Sequence, residues 1–115
     1  MKIVETKWGH EKTIVNDRKY AGRLSFYKKD HASNFGCYRN QDKTYYVRQG
    51  EVEVRFGDSD RIHETLGRVY GTGDFFQVER GACFQIKALE ASELIEFGTH
   101  IYEGDEYIIQ EGGPF

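Results

Sequence analysis

Between residues 37 and 45 the chain reads CYRNQDKTY, and four of its odd positions carry a thiol, a guanidinium, an ammonium and a phenol: Cys37, Arg39, Lys43 and Tyr45. Alternate side chains of an extended strand share a face, so these four are expected to look one way, with Val47 continuing the row. Two cations on one face suit an anion. Arg39 would grip it with a planar fork, and Lys43 would act as a point charge. Neighbouring cations also favour a reactive thiolate at Cys37. A nucleophilic cysteine normally wants a base as well, and the sequence ties no histidine to it, so a small polarisable filler is the plainer reading.

The elements that must position these groups read as strands. KTYYVRQGEVEVRFG (43–57) has the pattern of a hairpin turning at Gln49-Gly50, with Val52, Val54 and Phe56 on one face and Glu51, Glu53 and Arg55 on the other. KTIVND (12–17) and AGRLSFYKK (21–29) flank a turn at Asn16-Asp17, and further strands are expected near 68–70, 75–79, 82–88 and 93–98. With 13 glycines and a single proline, Pro114, the turns must rely on Gly, Asn and Asp. The 15% aromatic share favours strands as well. In the tail, GDEYIIQEG (104–112), the residues Tyr107, Ile108 and Ile109 are too bunched for an amphipathic helix, so an irregular segment or a single helical turn is expected. The pattern as a whole predicts an all-β chain with little or no helix, a small antiparallel β-barrel or jelly roll, and one domain over residues 1–115.

Composition narrows the function classes. A chain of 115 residues suits one core. The net charge is −3 with scattered basic residues, which argues against a nucleic-acid or anionic-membrane partner. No apolar run is long enough to span a bilayer. The opening MKIVETKWGHEK lacks the apolar core of a signal peptide, so a cytoplasmic location with reduced cysteines is expected. Cys37 and Cys83 could meet in space, but two cysteines do not make a disulfide framework.

Four stretches resemble the cupins, and among them small proteins similar to the cupin domain of type II mannose-6-phosphate isomerases. KWGHE (7–11) is similar to that family's Lys-Pro-Trp-Gly-x-Glu opening, without the proline. KTYYVRQGEVEV (43–54) resembles the end of the first cupin motif, GDFFQVERGACFQI (73–86) the second, and LIEFGTHIYEGDEYII (94–109) the closing segment. The resemblance implies a barrel with a metal held by His-x-His-x₃₋₄-Glu and a fourth histidine in the second motif. Counting back from Gly50 places Lys43 at the glutamate and Arg39 and Cys37 at the two histidines; a shift of one brings in Tyr38, Asn40 or Asp42. In the second motif Glu79 takes the proline position, Gly81 matches and Phe84 takes the histidine position. Arg and protonated Lys offer no lone pair and repel a divalent ion, so no metal or other cofactor is expected there. His10, His31, His63 and His100 share no ligand-like spacing. A relocated site from His31, Cys37 and Asp42 is the alternative; exposed loop histidines are the plainer reading.

By the same resemblance Cys37, Arg39, Lys43 and Tyr45 face the barrel interior, with Phe84 and Ile86 opposite and Cys83 turned away. Buried cations need neutralising. One solution is an internal ion pair with Glu79, Asp42, Glu51 or Glu53. The other is a small anionic ligand of the sugar-phosphate or carboxylate type, held by Arg39, Lys43, Tyr45, Cys37 and Phe84, with Gln77 and Gln85 bonding its hydroxyls. The functional expectation is therefore a metal-free cupin-fold protein binding such a ligand. The alternatives are a sugar or sugar-phosphate isomerase or epimerase using relocated metal ligands, and a closed structural barrel. The aromatic surplus, Trp8 included, points to an outer sheet buried in a homodimer.

Overall fold

The computed structural model describes residues 2–57 and 66–115, with the backbone alone at Leu66. Two antiparallel sheets face each other, and the chain crosses between them repeatedly. The first sheet runs β1 (Lys2–Glu5), β2 (Gly9–Asn16), β3 (Ala21–Tyr27), β11 (Ser92–Gly98), β6 (Lys43–Gln49), β9 (Phe75–Val78). The second runs β12 (Glu106–Gln110), β5 (Phe35–Tyr38), β10 (Cys83–Ala88), β4 (His31–Ala32), β13 (Gly113–Pro114). Along its other edge β10 pairs β7 (Glu51–Gly57), which pairs β8 (Leu66–Gly71). The described residues contain no helix, and the architecture is the expected small jelly roll.

Alternation explains the core. Tyr45 and Val47 on β6, Phe76 and Val78 on β9, and Leu94 on β11 point inward from one sheet. Val52 and Val54 on β7, with Phe84, Ile86 and Ala88 on β10, meet them from the other. Each of these is almost fully buried. On the outer side of the first sheet the alternate residues Tyr46, Phe75 and Phe97 stay exposed.

The structure corrects two expectations. β6 and β7 are not a hairpin. They belong to different sheets, and Gly50 is the corner between them, at φ 107° with Ser92 and Ala91 packed where a side chain would sit. A strand pattern can show that a turn is sharp without showing which sheet the next strand joins. The tail is also not irregular: β12 pairs β5, and a register shift between Ile108 and Gln110 absorbs its bunched apolar residues.

The packing carries a direct expectation. Leu94, 0% exposed in the inter-sheet core, should lose about 2–5 kcal/mol of unfolding free energy on Leu94→Ala, whereas Phe75→Ala, 63% exposed, should change it by less than about 0.5 kcal/mol. Urea denaturation of the two variants checks the contrast.

Candidate functional site

β11 lies between β3 and β6, and its register sets Glu96 opposite Arg23 on one side and Tyr45 on the other. Gly98, two residues along, faces Lys43. The inner face of the first sheet therefore carries a transverse row of polar side chains. The Lys43 ammonium donates to Glu96 Oε1 at 2.9 Å and approaches the Tyr45 hydroxyl at 3.5 Å. Arg23 donates from Nε to Glu96 Oε2 and from Nη1 to Glu11 Oε2, the latter at 3.2 Å. The face of the Tyr38 ring closes over Lys43, with Nζ 3.4 Å from its centroid, a cation–π contact.

Burial alone would push the Glu96 carboxyl up. The Lys43 and Arg23 charges, with hydrogen bonds from Arg23 and Tyr45, outweigh it and hold the carboxyl at about 2. Lys43 is pulled down from the usual lysine value by burial, with Glu96 opposing. Glu11, at the wetter end of the row, is pushed up by burial against the pull of Arg23. The phenols of Tyr27, Tyr38 and Tyr45 are all raised by burial and stay protonated. Above this row lies a hollow of about 20 Å³, lined by Trp8, Glu11, Tyr38, Tyr45, Phe84 and Glu106 among others. Its volume suits a single water.

Of the residues expected from sequence, the structure places Lys43, Tyr45 and Phe84 inside; the Phe84 ring lies 5.9 Å from that of Tyr45. It does not bring the others to them. β5 is turned by one residue, so Gly36 and Tyr38 face inward while Cys37 and Arg39 face out. Arg39 is exposed, with its guanidinium 5.2 Å from the Tyr107 ring centroid. Gln77 alternates with buried Phe76 and Val78 and is exposed. Gln85 alternates with the inward Phe84 and Ile86; it is buried on the outer side, where its Nε2 donates to the Ser33 carbonyl at 3.0 Å. The carboxylates first considered as partners lie elsewhere. Asp42 pairs with Arg80, Glu53 with Arg55, and Glu51 and Glu79 are exposed.

The relocated metal set is not assembled either. His31 Nδ1 lies 2.9 Å from the Lys29 carbonyl, and Asp42 is committed to Arg80. His10 stacks on Phe26, His100 meets the Asp17 carbonyl, and His63 lies outside the described residues. Among the described residues no group of three or more His, Cys, Asp or Glu could hold a metal. The inward positions with the family's ligand spacing are Gly36, Tyr38, Lys43 and Phe84. They offer a proton, a raised phenol, an ammonium and a benzyl ring, and an ammonium already fills the space. A Cβ at Gly36 would also collide with the Tyr107 carbonyl. A divalent cation does not fit this donor set.

Sequence reasoning missed Glu96, Arg23 and Glu11, and reached Tyr38 only through the one-residue shift of register that β5 in fact shows. The signal for Glu96 lies in SELIEFG, where Ser92, Leu94 and Glu96 share a face and set a carboxylate on the core side.

No protein-family model and no curated protein matches the chain. Solved structures do. KdgF from Halomonas sp. is similar at a TM-score of 0.70 and 19% identity, over 82% of this chain and 80% of that one. The oxalate decarboxylase of Bacillus subtilis, in its structure at pH 4.6, is similar at 0.80 and 16%, over 93% of this chain and 29% of that one, so this chain spans less than a third of that protein. A second structure of B. subtilis oxalate decarboxylase, from work on its Mn(II) centres, is similar at 0.78 and 17%, over 93% and 30%. These are cupin-fold proteins, and the fold of this chain is that of the cupins.

The buried row makes an acid-stability expectation with a definite sign. Glu96 is held below its unfolded value, so its contribution is complete above about pH 4.5 and is lost as pH falls toward about 2. Glu96→Gln should cost about 3–5 kcal/mol at neutral pH, because it strands Lys43 and half of Arg23. The variant should also lose most of the wild-type slope of stability between those pH values, which urea titrations at several pH values would reveal.

Proposed function

We propose that the protein is a metal-independent cupin-fold binding module that takes a small hydroxyl-bearing ligand of the sugar type at the barrel mouth, over Trp8. One observation carries this reading. A recess of about 330 Å³, lined by Glu5, Thr6, Lys7, Trp8, Asn34 and Glu111, shares Trp8 and Asn34 with the inner hollow. An indole face beside a carboxamide, a hydroxyl and carboxylates is a mixture that orients a polyol, and the Thr6 hydroxyl is buried with no partner among the described residues. The likeness of KWGHE and the later motifs to mannose-6-phosphate isomerase cupin domains supports a sugar-type ligand.

The interior itself is poorly suited to an anion. Lys43 and Arg23 are committed to Glu96 and Glu11, and Glu106 adds a third carboxylate to the lining. A phosphate on the ligand would meet Lys7 at the rim, now paired with Glu111 at 2.8 Å. The isomerase or epimerase reading is favoured by one feature, Glu11, which lines the inner hollow with Trp8 and Asn34 and whose carboxyl is pushed up by burial. Solvent deuterium uptake by a bound sugar, abolished in Glu11→Gln, would establish it, and absence of uptake would dismiss it.

The module is also proposed to be a homodimer. β1 is exposed along its whole length at one end of the first sheet, and the outer face beyond it shows Tyr46, Phe75 and Phe97. Pairing β1 antiparallel with a second copy sets Lys2 against Glu5 and Ile3 against Val4, so the strand complements itself in charge. Light scattering at micromolar concentration should give a dimer mass, and Val4→Pro should give a monomer. A monomeric wild type would remove this part of the proposal.

Trp8 is the single tryptophan, so its fluorescence reports on the mouth. Titration with monosaccharides and their phosphates should give a saturable change. Asn34→Ala should weaken binding by about tenfold or more, and Lys43→Met should leave it within about threefold. No saturable response, or loss through Lys43→Met with Asn34→Ala silent, would overturn the reading.

A further inference from the structure

β5 and β10 pair antiparallel with Gly36 opposite Phe84. Continued by one residue, that register brings Cys37 alongside Cys83, where the pairing slips: the next bond between the strands runs from the Gly81 N–H to the Tyr38 carbonyl at 2.8 Å. Independent registers agree on their faces. Phe84 and Tyr38 point into the barrel, their rings 6.2 Å apart, so the cysteines that alternate with them share the outer face. On its far side Cys37 neighbours Tyr107, and Cys83 neighbours Gly57, which has no side chain. Cys37 is half-buried, Cys83 is buried, and neither is in a disulfide here.

Residues directly opposed in an antiparallel pair hold their Cβ atoms about 4.5–5.5 Å apart, and a disulfide needs about 3.5–4.5 Å. A small closure of the two strands where their register slips would therefore bridge them. We propose that Cys37 and Cys83 form a cross-strand dithiol that accepts two electrons' worth of oxidation from a low-molecular-weight disulfide. The Cys37 thiolate, the more accessible of the two, attacks one sulfur of the small disulfide. A mixed disulfide forms, and one small thiol leaves. The Cys83 thiolate then attacks Sγ of Cys37, the mixed disulfide breaks, and the second small thiol leaves. The protons from the two protein thiols end on the two released thiols; the protein is oxidised by two electrons and the small disulfide is reduced by two. The new bond ties the strand carrying Tyr38 to the strand carrying Phe84, two rings that close the hollow beside Lys43.

The test uses the full chain equilibrated in glutathione buffers of increasing oxidised fraction, then acid-quenched, alkylated and weighed by mass spectrometry. The expected product is a monomeric chain lighter by two hydrogens, resistant to alkylation, with a Cys37–Cys83 cross-linked peptide after digestion. Cys83→Ser should stop at one glutathione on Cys37, and Cys37→Ser should form no bridge; circular dichroism confirms that each variant is folded. A wild type that stops at a glutathione adduct, stays fully reduced in oxidised glutathione alone, or joins two chains through either cysteine would overturn the proposal. The outcome is independent of ligand binding at the mouth, so the two readings stand or fall separately.

Discussion

A carboxylate with two cations in a nearly dry interior decides what this barrel can be. Glu96 accepts from Lys43 on one oxygen and from Arg23 on the other, and it is opposed in register by Arg23 and Tyr45 across two strand pairs. Removing any one member leaves a charge that the hollow cannot hydrate, so the row behaves as a unit. The strands that carry it, β2, β3, β11 and β6, are consecutive in one sheet, and each contributes its member through ordinary alternation. The charges fix which face of each strand looks inward as firmly as the apolar residues do.

The same row explains why a barrel of this fold need not carry a cation from outside. An ammonium held by a carboxylate and a tyrosine face stands at one of the inward positions that carry the ligand spacing of the resemblance. The inward position that would supply a first imidazole is a glycine pressed against the β12 backbone. In the reading proposed above, recognition lies at the recess beside Trp8 and Asn34 and self-association at the exposed edge of the first sheet.

Much of this was legible in the residues. Eight of the strands between residues 12 and 98 and the sheet-forming bias of the aromatics follow from alternation and composition. The inward direction of Lys43, Tyr45 and Phe84 came from the cupin resemblance, and β1 and β4 were not foreseen. The facing of β5 was not, because a four-residue strand with Gly36 and Cys37 side by side gives no apolar alternation to set its phase. The neutralising carboxylate was sought near Lys43 in the chain but comes from a strand more than fifty residues away, where it sits inside an otherwise apolar run. Gly50 announces a sharp turn; only the pairing partners of β6 and β7 reveal that it is a corner between sheets. The recess at the mouth joins Thr6, Trp8, Asn34 and Glu111, residues that no local pattern connects.

The central claim is that Lys43 is a buried ammonium held by Glu96, in a barrel whose inward donor set does not take a divalent cation. Nitrogen-detected NMR of protein labelled at lysine addresses it most directly, with Mn²⁺ added in a second step. The account requires one slowly exchanging ammonium signal at neutral pH, absent in Lys43→Met and unbroadened by the metal. A Lys43 signal that exchanges as fast as surface lysines, or that broadens as Mn²⁺ enters the barrel, would contradict it.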